Sequence, residues 1–95
     1  MKKEGEVMNI NYSYFRKLSL KAYCYDQDLI IMQHHLFHIA LAYDVKEKYY
    51  YLLEYSDSME NWYILHDGIN KEWLQEKFNK RTAEIDEDLA GLIDL

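Results

Sequence analysis

From Phe15 onward the apolar residues recur at alternating steps of three and four: Phe15, Leu18, Ala22, Tyr25, Leu29, Met32, Leu36, Ile39 and Tyr43. Held over four heptads, that period is the seam along which helices pack side by side, within a chain or across a homodimer. The polar triplet Asp26-Gln27-Asp28 interrupts the seam. It predicts two helices, with an aspartate capping the orphan N–H groups at the start of the second. More helix starts are legible downstream. Asp44-Val45-Lys46-Glu47 and Asp57-Ser58-Met59-Glu60 have the spacing of capping boxes. Asn70 suits the N-cap of a helix over 71–81, and Gly68 the C′ position of a helix ending near His66. Thr82 suits the cap of a last amphipathic helix with Ile85, Leu89 and Leu92 on one side.

Turn signals point the same way. The chain has no proline, and its three glycines stand at 5, 68 and 91, so residues 6–67 contain neither of the strongest turn formers. Valine and threonine, which strands favour, total three. The expected fold class is therefore all-α, a small domain of four to six short capped helices. The alternative is α+β. The segments 48–55 (KYYYLLEY) and 61–66 (NWYILH) are rich in aromatics and would pair as a hairpin over 48–66. Residues 17–25 alternate Leu18, Leu20, Ala22 and Cys24 and would add a strand, giving βαββα.

Ninety-five residues, 49% hydrophobic and 29% charged, make one globular domain. The expected domain spans 8–95. Residues 1–7 read as a polar leader outside the fold, with Met8 as an alternative start. A single cysteine, Cys24, excludes an internal disulfide and fits a reducing, cytoplasmic setting. Its expected state is a buried, inert thiol. The uncharged run Leu29–Tyr43 is too short and too rich in histidine for a membrane span. The net charge of −6 argues against direct nucleic-acid binding.

Two features carry candidate chemistry. The first is Gln33-His34-His35-Leu36-Phe37-His38, with three of the four histidines. On a helix, His34 and His38 would share a face and could hold zinc or nickel. Cys24, His66 and Asp67 are the remaining candidate ligands. His35 stands where the helical zinc-protease motif has its glutamate, so that chemistry lacks its general base. The plainer expectation is a partly buried polar face that is destabilised as pH falls. No phosphate loop, nucleophile elbow or paired-cysteine spacing is present in the sequence, and no catalytic residue is assigned.

The second feature is charge beside tyrosine. Five of the six net negative charges fall after Thr82, as Glu84, Asp86, Glu87, Asp88 and Asp94. Ten tyrosines exceed what so small a core holds, and tyrosine is enriched at protein interfaces. The expected function is a non-enzymatic regulator or inhibitor that binds another, basic protein, such as a nucleic-acid enzyme. An inhibitor from a phage or mobile element, or an antitoxin-like protein, fits that size and charge. The expected partner-binding residues are Glu84, Asp86, Glu87 and Asp88 with Tyr49, Tyr50 and Tyr51. A metal-binding protein built on His34 and His38 is the alternative.

Overall fold

The computed structural model describes residues 4–93, with side chains from 14 to 91. Helix α1 (Glu4–Gln27) leads into four strands, β1 (Ile30–His35), β2 (Ile39–Asp44), β3 (Tyr49–Ser56) and β4 (Asn61–Gly68), and helix α2 (Lys71–Ile93) follows. The strands form one antiparallel sheet in chain order. The fold is α+β, and the all-α expectation is wrong. The βαββα alternative is right at its hairpin, which is β3–β4. It is wrong at 17–25, which lies inside α1, and at Leu29–Tyr43, which forms β1 and β2. Of the expected leader 1–7, residues 1–3 lie outside the described residues and Glu4–Val7 belong to α1.

The seam breaks where the sequence says it should, but into a strand. Asp28 adopts φ 58°. Its N–H donates to the Tyr25 carbonyl (3.2 Å), and the Leu29 N–H donates to the Cys24 carbonyl (2.7 Å). That bond pair is a Schellman motif, with aspartate at the position glycine usually takes. Leu29 packs on the cluster that contains Cys24, the apolar contact that accompanies such an ending. Asp28 thus closes α1 and does not open a second helix.

The three hairpins are made without glycine or proline. Between β1 and β2 the His38 N–H bonds the His35 carbonyl at 2.9 Å. Leu36 and Phe37 both take positive φ, 54° and 48°, the signature of a type I′ turn that normally calls for Asn-Gly. The other two loops resemble each other. Asp44 Oδ1 accepts from the Lys46 and Glu47 N–H groups at 3.0 and 3.1 Å, and Ser56 Oγ accepts from the Met59 N–H at 3.2 Å. Lys48 and Glu60, each just before the next strand, have φ 54°. The capping chemistry read at Asp44 is real, but the turn it closes is not continued as a helix. At the second loop Ser56 supplies the oxygen that the Met59 N–H reaches. Side chain-to-backbone bonds of this type serve turns and helix starts equally.

Asn70 does cap α2, accepting the Trp73 N–H at 3.0 Å. Thr82 lies inside α2, which runs unbroken to Ile93, so no separate helix starts there. Gly68 ends β4 with φ 155°, a conformation open to glycine, and is not a helix C′ residue.

The sheet is covered on both faces. On one, Leu20 and Cys24 of α1 pack on Ala40, Ala42, Leu53, Tyr55 and Trp62. On the other, Leu74, Phe78 and Ile85 of α2 pack on Ile39, Leu41 and Leu52. Ile39 to Ala42 of β2 are wholly buried, because successive side chains enter opposite layers. A strand buried on both sides reads as a continuous apolar run and loses its period of two. The Phe15–Tyr43 seam is therefore no single surface. Its first four positions lie on α1, and its last five are spread over Leu29, β1, the turn and β2. Bulges at Met32 in β1 and Leu65 in β4 shift the register of both outer pairings, whereas β2–β3 is regular.

Candidate functional site

The α2 layer carries a polar network across the sheet. Glu54, on β3, is the one buried charged residue among the described residues, with 8% exposure. Arg81 of α2 grips it with both arms, Nε to Oε1 at 2.7 Å and a terminal nitrogen to Oε2 at 3.0 Å. The same guanidinium reaches Glu84 at 3.4 Å. The bonds to Glu54 raise the Arg81 pKa, against the burial that would lower it. A carboxylate out of water requires such pairing. Tyr63 on β4 leans on Glu54 as well; burial first, then the carboxylate's charge and hydrogen bond, push its hydroxyl pKa up.

Two further bonds tie α2 to the edge strand β1. His35 Nε2 lies 2.7 Å from Asp86 Oδ1, and the Gln33 amide donates to Gln75. Beside the Glu54–Arg81 pair, Leu65, His66, Lys77, Lys80 and Glu84 line an open groove of about 390 Å³.

Both helices run past the same end of the sheet. Ile85 is the last buried residue of α2, next to Asp86 at the end of β1, and residues 86–91 are exposed. On the opposite face, the Arg16 carbonyl accepts from Trp62 Nε1 at 3.4 Å near the start of β4. The part of α1 before Arg16 therefore projects beyond that end too. Phe15 lines a cleft of about 330 Å³ there with Tyr55, Asp57 and Glu60. Glu84, Glu87 and Asp88 are exposed at the same end.

The expected partner surface is thus divided. Glu87 and Asp88 lie on the overhanging part of α2, whereas Asp86 is engaged by His35 and Glu84, before Ile85, by Arg81. Tyr49, Tyr50 and Tyr51 lie at the far end of β3, where Tyr49 pairs with Asp44 and Tyr50 with Gly68. All three are half-buried. Tyr50 packs on Tyr43 at a tilt of 34° with ring centres 4.5 Å apart, and Tyr49 meets Tyr51 edge-on at 5.2 Å. The structure does not bring them to the acids. Asp94 lies outside the described residues.

The histidines also separate. The helical spacing that paired His34 with His38 does not exist, since one is on β1 and the other follows the turn. His34 stacks on Phe37 with centroids 3.9 Å apart. His38 Nε2 lies 3.8 Å from Glu54 Oε2. Burial lowers the pKa of both. At His34 the His35 and Lys17 charges add to that effect, and at His38 the Glu54 charge opposes it. Among the described residues no group of three or more His, Cys, Asp or Glu is arranged to hold a metal ion. Cys24 is buried, which pushes its thiol pKa up to about 11 and makes the reactive thiolate scarce.

Sequence reasoning missed the Glu54–Arg81 pair. The signal was present: Glu54 is the only charged residue between Tyr49 and Tyr55. A lone acid inside an aromatic strand needs a buried cation. Among the described residues no helix is long and apolar enough to cross a membrane. Compared with known protein families, curated proteins and solved structures, the chain matches none.

Proposed function

We propose that this chain is a protein-binding module, a regulator or inhibitor without catalytic activity, whose acidic end docks on a basic partner such as a nucleic-acid enzyme. The observation that supports this reading is the charge of the overhanging turns of α2. This helix has no base in its last turn. Glu87 and Asp88 are exposed and make no ion pair among the described residues. Two exposed acids without an ion pair among the described residues are set toward solvent and what arrives from it. Asp57, Glu60 and the half-exposed Phe15 stand at the same end, adding charge and apolar area.

The test compares the wild-type chain with a variant carrying Glu84→Gln, Glu87→Gln and Asp88→Asn. Both are used to enrich partners from cells of the native source. The reading expects a basic protein retained by the wild type and depleted on the variant, with an association rate that falls as salt is added. Equal recovery on both chains, with an association rate indifferent to salt, would refute it.

A further inference from the structure

The outer side of α1 is as unusual as its buried side is ordinary. Tyr14, Phe15, Leu18, Ala22 and Tyr25 are all exposed, Tyr25 at 85%. At 100° per residue they fall within an arc of about 100°. Leu20 and Cys24, which hold the helix to the sheet, lie on the other side. α1 thus has two apolar stripes: the sheet covers one, and of the other Phe15 borders the sheet, lining the cleft with Tyr55. Phe15, Leu18, Ala22 and Tyr25 keep the 3-4-3 spacing of a coiled-coil seam, positions a, d, a and d. In that register Lys21 takes position g and Asp26 position e. Both are exposed, and among the described residues neither makes an ion pair.

We infer that the occupant of this stripe is a second copy of the same chain, with the two α1 helices parallel. The charges select both partner and direction. In a parallel pair each g residue faces the e residue five positions on in its mate, so Lys21 meets the mate's Asp26 twice, once on each side of the seam. In an antiparallel pair g faces g and e faces e. Lysine would then meet lysine and aspartate would meet aspartate, a repulsion on both flanks. The isologous arrangement closes as a dimer and leaves the sheets on the outside. Association need not form the helix first. Packing of Leu20 and Cys24 and the Schellman ending have already fixed its described part, so the nucleation cost of an isolated helix is absent.

The experiment is sedimentation equilibrium of the purified full chain from micromolar to submillimolar concentration. It uses no other protein, so its outcome is independent of the proposed basic partner. The wild type is expected as a reversible dimer. Lys21→Glu and Asp26→Lys should each weaken it about tenfold, through like charges brought together on both flanks. The double variant should recover wild-type affinity. Leu18→Glu should give a monomer with an unchanged circular dichroism spectrum, since that side chain is 46% exposed and belongs to neither buried cluster. A wild type that stays monomeric overturns the inference. So does a dimer that tolerates Leu18→Glu, or a double variant no tighter than the single ones.

Discussion

The two faces of the sheet are held by different physics. Against α1 the buried cluster is dry: Leu20, Cys24, Ala40, Ala42, Leu53, Tyr55 and Trp62 meet through apolar surface and the indole N–H finds a backbone carbonyl, with the Arg16 charge near Tyr55 and Lys17 over the Phe37 ring at its margin. Against α2 an apolar strip is flanked by bonds to β1 and β3, Gln33 with Gln75, His35 with Asp86 and Glu54 with Arg81. Apolar contact is non-directional, so it attaches a helix without specifying its axial position. Bonds at three points along a helix do specify it. The outer sides differ as well: α1 shows Tyr14, Phe15, Leu18 and Tyr25 with Lys21 and Asp26, and α2 shows Glu84, Glu87 and Asp88 with Trp73 and Leu89.

The largest expected effect breaks the dry face. Trp62→Ala removes its largest buried side chain and should cost about 3–5 kcal/mol in chemical denaturation. A loss under about 1 kcal/mol would mean that α1 is not held by that layer. The polar face should break differently. Arg81→Ala leaves Glu54 buried without its cation and should cost about 3 kcal/mol. Glu54→Leu combined with Arg81→Leu should be no less stable than wild type, because a buried pair roughly balances its own desolvation. If the single and double variants lose equally, the pair contributes by packing alone.

A smaller effect comes from acid. His34 and His38 both have folded pKa values lowered by burial. Their contribution is then complete above the unfolded pKa of about 6.5 and is lost as pH falls below it toward the folded values. Melting temperature should fall between about pH 7 and pH 5.5, and less steeply in His38→Asn. An unchanged slope would place the titrating group elsewhere. The smallest effect is a gain. Asp28→Gly relieves the left-handed ending of α1 and should stabilise by up to about 1 kcal/mol, less the exposed pair with Lys46. A loss would mean that the Lys46 pair outweighs the strain.

What the sequence concealed follows from particular residues. The cap at Asn70, the break at Asp26-Gln27-Asp28 and the hairpin over 48–66 were legible, since each rests on local chemistry. The strands at 30–44 were not. β2 is buried on both faces, and the bulge at Met32 shifts the phase of β1, so alternation gave way to a false heptad. The turn that should have divided them is Leu36-Phe37, two residues that resist positive φ and that no turn signature includes. The acids on α2 were visible as composition. That Asp86 is taken by His35, and that Tyr49, Tyr50 and Tyr51 lie at the other end of β3, depends on register, which spacing does not carry.

The two bulges bear on how readily the sheet's open edges pair with another strand. Both outer strands present unpaired N–H and C=O groups, the usual template for a stray strand. On β1 the neighbouring side chains are partly exposed Ile30 and Met32, and on β4 exposed Ile64, so neither rim is guarded by charge along its length. The extra residue sits on the edge member of each outer pairing, at Met32 and Leu65, and the interior pairing has none. A bulged rim twists away and interrupts the ladder, so an incoming strand finds only a few consecutive groups in register. Irregularity confined to the borders makes each rim a poorer template for sideways growth than a regular edge would be.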